Sequence, residues 1–275
     1  MMISDNNDIN IVKSQNLHRA KSSFVSMIAG EKKRLVHSEV TDDTETQIKQ
    51  SQNRLWKALK RRYQYDSNFE TGQNFLRSHV NSKIPLVILY VDLVGSTNLS
   101  MTIPVDKLVT IISAFTYEMS SAVYRYGGFV LKYVGDAVIA FFPSLSDKIL
   151  VCDRAVRCGI FMLTIIKNGL NPILNQYDYP DLSAKIGIDE GENIIVQYGQ
   201  DKNSSLDILG YCMSVSSKMT SLTKSNNITI GDDVYVRLRP ELRHKFERVN
   251  YSAREWNYVS KRTGELYKLY TLKQQ

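Results

Sequence analysis

Asp92 follows eight mostly apolar residues, 84–91, at the exit of what should be a central strand. A carboxylate there is costly to bury unless a cation or backbone N–H groups satisfy it. Taken alone it reads first as an Asx-type cap on the next helix. Val94-Gly95-Ser96-Thr97 comes directly after it, a short glycine-bearing loop entering a helix. Free N–H groups and the positive end of a helix dipole at such a place can hold phosphate. The pattern is not that of a Walker P-loop. Asp136 ends a Val134-Gly135-Asp136 corner between two apolar runs, where Gly-Asp is also ordinary turn chemistry. The two aspartates lie 44 positions apart with a helical pattern between them, which lets both reach one edge of a sheet. Such a pair suits Mg²⁺ or Mn²⁺, which take few protein oxygens and complete their shells with water and phosphate. Two ions about 4 Å apart can activate an attacking oxygen and clamp a leaving one.

Elements must carry these residues. Residues 84–91 form a nearly continuous apolar run, the mark of a strand covered on both faces. Leu108, Ile111, Ile112, Phe115, Met119, Ala122, Val123 and Tyr126 recur at threes and fours, predicting a helix that Gly127-Gly128 stops. Residues 129–131 and 138–142 predict a hairpin about the Asp136 corner, closed by Pro143. Beyond it the pattern predicts a helix over 155–166, a strand pair at 184–188 and 194–196, and a helix over 213–222. A strand at 228–230, a short helix over 232–238 and a last strand at 267–270 complete it. This alternation predicts an α/β sandwich of the α+β kind, one mainly antiparallel sheet with helices packed on it.

Ahead of that domain, which spans 84–275, residues 42–83 predict a helical N-terminal segment. Thr44-Glu45-Thr46-Gln47 has capping-box spacing, and Ile48, Leu55, Trp56, Leu59 and Tyr63 share one helical face. A second short apolar pattern holds Phe69, Phe75, Leu76 and Val80. Both seams need burial, on the main domain or on a second subunit. Residues 1–41 form a polar lead-in, expected to be frayed or partly disordered.

Two segments tighten the chemical reading. Residues 90–97 (YVDLVGST) and 131–137 (LKYVGDA) resemble the two metal-binding motifs of the class III nucleotidyl cyclases, the adenylate/guanylate cyclase family. The likeness continues through 184–191, 207–219 and 227–238 in the family's order, covering roughly 84–272. It implies a ferredoxin-like class III cyclase fold. It also implies that Asp92 and Asp136, assisted by the Leu93 carbonyl, bind two divalent cations, Mg²⁺ or Mn²⁺. The backbone of Val94, Gly95, Ser96 and Thr97 would cradle the β- and γ-phosphates. Lys132 and Asp207 fall where the family reads the base, and adenylate cyclases carry those residue types there. Ser214 replaces the usual ribose-orienting Asn, and Lys218 the usual Arg facing the transferred phosphorus. Lys keeps the charge without the planar fork. Lys261 and Arg262 roughly match a loop with a phosphate-binding lysine. The implied activity is conversion of ATP to 3′,5′-cyclic AMP and pyrophosphate by a homodimer with shared sites. GTP or a pyrimidine triphosphate is the alternative substrate, and a catalytically weak cyclase-like regulatory domain the alternative role.

Composition fits this. At 43% hydrophobic and 23% charged, the chain is neither low-complexity nor wholly disordered. No apolar run reaches the roughly 18 to 20 residues a transmembrane helix needs. The N-terminus lacks the basic and apolar regions of a signal peptide. Cys152, Cys158 and Cys212 are an odd set in no metal-ligand spacing, which predicts a reducing, cytoplasmic setting. Of the net charge of +7, +4 lies in the first 80 residues, where Lys57, Lys60, Arg61 and Arg62 cluster. Without interleaved aromatics that run predicts a solvated helix face and no nucleic-acid partner. A basic balance also suits a polyphosphate substrate.

Overall fold

A computed structural model describes residues 40–61, 68–145, 147–199, 201 and 204–274. Of the expected frayed lead-in 1–41, residues 1–39 lie outside the described residues, as do Arg62 and Tyr63, while Val40 and Thr41 are helical. The strands are β1 (Lys83–Leu93), β2 (Phe129–Val134), β3 (Ala137–Pro143), β4 (Ala184–Gln197), β5 (Leu206–Leu209), β6 (Asn227–Gly231), β7 (Phe246–Val249) and β8 (Leu269–Leu272). They form one sheet in the order β2-β3-β1-β4-β6-β8-β7, with β5 paired to β4 off that path. The β4–β6 pair is parallel and the other pairs are antiparallel. The predicted α+β sandwich is the observed one.

The helices are α1 (Val40–Arg61), α2 (Asn68–Arg77), α3 (Ser96–Thr102), α4 (Val105–Arg125), α5 (Lys148–Ile165), α6 (Asn171–Leu174), α7 (Tyr211–Leu222), α8 (Asp232–Tyr235) and α9 (Pro240–Arg243). Alternate residues of β1 divide between the sheet's faces. Val87, Leu89, Val91 and Leu93 join Ile111, Phe115 and Met119 of α4 and Val156 and Met162 of α5 in the main core. Leu86 and Ile88 are equally buried on the opposite face. There α7 packs on β4 and β1, and Phe75 of α2 stacks on Phe129 at 6.0 Å and lies tilted against Phe141 at 5.8 Å. Burial on both faces is what the unbroken apolar run of β1 requires.

The apolar seam of α1 is narrower than its sequence suggests. Leu55 is fully buried in the main core, whereas Trp56, about 100° further round the helix, is 43% exposed. Beside Leu55, Arg54 donates two hydrogen bonds to Glu118 of α4, at 2.8 and 2.7 Å. Glu118 is buried, so this pairing compensates a desolvated charge. Thr44 lies inside α1, whose first described residue is Val40, so the capping-box spacing does not mark its start.

Four further differences have local causes. The predicted strand pair within 184–196 is one 14-residue strand, because Glu190-Gly191-Glu192 stays in the ladder opposite Val87, Leu86 and Pro85. Its Gly191 admits α7, since a Cβ there would sit 3.2 Å from that of Cys212. α5 starts at Lys148 because the Asp147 carboxylate caps it, accepting from the Leu150 N–H at 3.0 Å. β7 went unpredicted, its Phe246 buried but Glu247 and Arg248 exposed. β8 begins at Leu269 because Tyr267, its predicted first residue, is held by side-chain bonds to Asp189 and Asp233.

One contact decides where α7 can lie. A Cβ on Gly187 of β4 would fall 2.7 Å from the Ser216 carbonyl oxygen and 3.0 Å from the Thr220 nitrogen, so helix backbone rests on bare strand. Gly187→Ala must therefore push α7 outward, at about 1–3 kcal/mol of overpacking. The expected result is a melting temperature lower by several degrees with an intact far-UV spectrum. An unchanged melt would contradict this contact.

Candidate active site

β1 delivers Asp92 to the sheet's edge. Val91 pairs with Val138 of β3, so Asp92 lies beside the β2–β3 corner that carries Asp136. On its other side Asp92 pairs with Lys185 of β4. Both turns at this edge use the left-handed backbone region, Gly95 with φ 76° and Gly135 with φ 62°, where a side chain would be strained. The Asp92 carboxyl is pushed above its ordinary value, by burial first and then by the Asp136 charge. Lys185 and the Leu93 N–H oppose that shift. Asp136 has one carboxylate oxygen, Oδ2, buried without a hydrogen-bond partner.

Two neighbouring carboxylates, one orphaned and one made reluctant to ionise, fit a divalent cation. No group of three or more His, Cys, Asp or Glu that could hold a metal occurs among the described residues. A cation here would draw on Asp92, Asp136 and the Leu93 carbonyl and complete its shell from water or phosphate, which suits Mg²⁺ or Mn²⁺.

The glycine loop has one of its N–H groups already engaged. The Val94 N–H donates to the Ser183 carbonyl at 2.8 Å, so it ties the loop to the end of β4. Gly95 occupies the N-cap of α3 and supplies no side-chain cap. The Ser96 and Thr97 N–H groups thus open the helix as first-turn donors, free of any intrahelical acceptor.

A second locus lies on the sheet face that carries Tyr90. Lys132 Nζ approaches Asp207 Oδ2 to 2.5 Å, joining residues that are 75 apart in sequence. The other Asp207 oxygen accepts from the Ile208 N–H at 2.9 Å. The pair lines a cavity of about 560 Å³ with Tyr90, Ile208, Leu209, Met213, Ser214, Ser217, Lys218, Ser221 and Tyr258. Ser214 and Lys218 are one helical turn apart on α7, above buried Val215 and Met219. The structure therefore brings Lys132, Asp207, Ser214 and Lys218 together. Asp92, Asp136 and the glycine loop are not part of this cavity's wall. Lys261 is not in the wall either, its Nζ lying 5.1 Å from the Tyr211 ring centroid. Arg262 beside it is held by Asp232 at 2.8 Å.

Sequence reasoning missed Tyr90, Ser217 and Tyr258. The Tyr90 phenol is pushed up by burial first and then by the Asp207 charge. Strand alternation could have found it, since Tyr90 and Asp92 point to the same face of β1. Ser217 lies on the helical face of Ser214 and Lys218. Tyr258 belongs to a loop fixed from beneath. Trp256 Nε1 donates to the Tyr267 carbonyl at 2.7 Å, and the Tyr267 hydroxyl donates to Asp189 Oδ1 at 2.7 Å. Asp189 is fully buried, and burial pushes its carboxyl well above the usual range. All three cysteines are buried, which raises their thiols, Cys152 to about 12.

Residues 79–273 match the sequence model for the adenylate and guanylate cyclase catalytic domain. A cytidylate cyclase of Escherichia coli is 23% identical over 164 residues, covering 56% of this chain and 35% of that protein. Adenylate cyclase 2 of Rhizobium meliloti is 27% identical over 157 residues, covering 56% of this chain and 42% of its own length. The chain thus matches well under half of these curated relatives. The crystal structure of the adenylyl cyclase CyaB from P. aeruginosa superposes with a TM-score of 0.59 at 21% identity, over 70% of this chain and 96% of that one.

The carboxylate edge has a thermodynamic signature. A carboxyl whose folded pKa is raised costs nothing below its unfolded value, near 3.9, and costs stability increasingly from there up to the folded value, above which the cost is constant. In a chelator at pH 7, Asp92→Asn should therefore melt higher than the parent, with the gain vanishing below about pH 4. Saturating Mg²⁺ or Mn²⁺ should reverse the order, since ligand at a hundred times Kd adds about 2.7 kcal/mol to the parent alone. Melting curves with and without cation test both statements, and an Asp92→Asn variant stabilised by cation as much as the parent would refute the site.

Proposed function

The chain belongs to the adenylate and guanylate cyclase catalytic-domain family, and within it we propose an adenylate cyclase that converts ATP to 3′,5′-cyclic AMP and pyrophosphate. The observation that carries this reading is the Lys132–Asp207 pair in the cavity wall. An ammonium that only donates and a carboxylate that only accepts match the adenine edge, a ring nitrogen beside an exocyclic amine. Guanine and uracil offer a ring N–H beside a carbonyl and reverse that pattern. Cytosine offers the same edge as adenine, so cytidylate cyclase is the second reading, supported by the likeness to the E. coli enzyme.

In the reaction the ribose 3′-hydroxyl gives up its proton to solvent, its oxygen bonds to the α-phosphorus, the bond from that phosphorus to the bridging β-phosphate oxygen breaks, and pyrophosphate leaves. Two divalent cations, held by Asp92, Asp136 and the Leu93 carbonyl, would supply charge neutralisation and a more acidic 3′-hydroxyl. The Ser96 and Thr97 N–H groups donate to the β- and γ-phosphates at the start of α3. Ser214 hydrogen-bonds the ribose. Lys218 faces the α-phosphate and offsets the charge that gathers there. Lys in place of a planar guanidinium makes one contact where Arg makes two, which points to a slow enzyme.

Metal carboxylates and base pocket occupy different places on one chain. A homodimer would set the cavity of one copy against the carboxylate edge of the other, giving two equivalent sites. No described helix is long and apolar enough to cross a membrane. Buried thiols and an ATP substrate suit the cytoplasm.

Product analysis with the four nucleoside triphosphates and Mg²⁺ or Mn²⁺ tests the reading. Cyclic AMP should dominate, and Lys132→Glu should cut ATP use far more than GTP use. Dominant cyclic CMP would replace the adenine assignment with cytosine, and no cyclic product from any of the four would end the cyclase reading. Shared sites have their own test. Asp92→Ala and Lys218→Ala chains, each inactive alone, should recover about a quarter of parental activity when mixed, since half the dimers carry one intact site. Mixed dimers that stay inactive would rule out shared sites.

A further inference from the structure

Asp189 enters the interior with no cation to meet it. It is 1% exposed, on the same face of β4 as Gly187 and Gly191. Gly231 of β6 makes room for its carboxyl, since a Cβ there would fall 2.1 Å from Oδ1. The titratable groups that face it are Asp233 of α8, Glu190 of β4, Cys152 of α5, Tyr211 and Cys212 of α7, and Tyr267 ahead of β8. The cations of this region are engaged elsewhere. Lys148 meets Glu190 at 2.9 Å, Arg237 meets Glu190 at 3.4 Å and Asp233 at 3.3 Å, and Arg262 meets Asp232 at 2.8 Å. Among the described residues no cation pairs with Asp189.

What Asp189 does meet is the Tyr267 phenol, 2.7 Å from Oδ1. The same phenol oxygen accepts from the Asp233 N–H at 2.9 Å and lies 3.2 Å from Asp233 Oδ2. A phenol has one hydrogen to give. With Asp189 ionised, two carboxylate oxygens compete for that hydrogen, and the loser faces a lone pair. With a proton on Asp189, the carboxyl donates to the phenol and the phenol donates to Asp233, so every contact is a hydrogen bond. Burial holds the Asp189 carboxyl well above the usual range, against the pull of the Tyr267 hydrogen bond. Burial also keeps the phenol's own proton in place.

Tyr267 holds the cavity wall as well. Its N–H donates to the Tyr258 carbonyl at 2.8 Å, and its carbonyl accepts from Trp256 Nε1 at 2.7 Å. Tyr258 lines the cavity, and Trp256 is buried beside it. We propose that Asp189 is un-ionised in the folded chain and that its proton is a latch on this wall. Lost to solvent at alkaline pH, the proton leaves a charge beside Asp233, the Tyr267 phenol loses a partner, and the segment that brings Tyr258 to the cavity loosens. The latch acts on the wall whatever ligand fills the cavity, so it goes beyond the nucleotide reading.

Denaturant unfolding of the full chain across a series of pH values tests the proton, beside Asp189→Asn, which keeps the shape and cannot ionise. Below about pH 4 the two chains should respond to pH alike. From there upward the parent's folding constant should fall about tenfold per pH unit relative to the variant, levelling off where Asp189 ionises in the folded chain. Buried carboxyls titrate as high as about pH 8 to 9, so the series runs to about pH 10. Infrared spectra keep the question open to decision should Asp189→Asn fail to fold. An Asp92→Asn chain, freed of the other raised carboxyl, should show the carbonyl stretch of an un-ionised carboxylic acid at neutral pH and lose it at alkaline pH. Acrylamide quenching of Trp256, read in Trp56→Phe chains, reports the wall. Quenching should rise through the same transition and stay level once Asp189→Asn is added. None of these readouts needs a nucleotide, so they are independent of whether the chain is a cyclase. Three results overturn the latch: a parent-to-variant ratio that is flat above about pH 5, no carboxylic-acid band at neutral pH, or quenching that rises equally with and without Asp189→Asn.

Discussion

Two carboxylates held at one edge of a sheet repel each other, and the rest of the molecule has to withstand that repulsion. Asp92 cannot retreat, because β1 is paired along its length with β3 and β4 and packed on both faces. Asp136 cannot swing away without opening the corner that Gly135 permits. The residual cost stays in the site as a raised carboxyl and a partnerless oxygen. Such local frustration is common where a protein is built to receive charge from outside. A rigid centre is what allows it to persist.

That rigidity also fixes the second locus. α7 lies on β4 with backbone against backbone at Gly187 and close to Gly191, so its exposed face stands at a set height over the sheet. Ser214, Ser217 and Lys218 consequently meet Tyr90 and Lys132 rather than solvent alone. The β4 strand makes this possible by running unbroken through Ala184–Gln197 and carrying β5, with Asp207, on its far end. Beneath the outer loop, the Tyr267–Asp189 bond and the Arg262–Asp232 pair hold Tyr258 at the cavity rim.

The carboxylate edge was legible in sequence because an aspartate ending an apolar run stands out, and a Gly-Asp corner between two such runs stands out again. The helices α4 and α7 and the β2–β3 hairpin followed from periodicity. Tyr90 was not legible, since a tyrosine inside an apolar strand looks like core until the face it occupies is known. The glycines of β4 suggested a turn because a glycine that admits a helix and a glycine that bends a chain are the same letter. β7 escaped because Glu247 and Arg248 break the apolar pattern of a four-residue edge strand. Lys261 shows the opposite limit: a basic loop residue near the right place in sequence stands over Tyr211 and outside the cavity wall.

The Arg54–Glu118 pair gives the molecule a physical boundary different from its ancestral one. Family likeness begins at residue 79. Glu118, however, is 2% exposed in the middle of α4, and its guanidinium partner comes from α1, far upstream of that point. A fragment cut at residue 79 would retain every residue assigned to the reaction and lose Arg54 and Leu55. It would strip the cover from Glu118 and expose the apolar surface on which Leu55 packs. Recombination or truncation that respects homology would thus cut through the folded unit. The folded unit therefore reaches upstream of residue 79 to the part of α1 that carries Arg54 and Leu55.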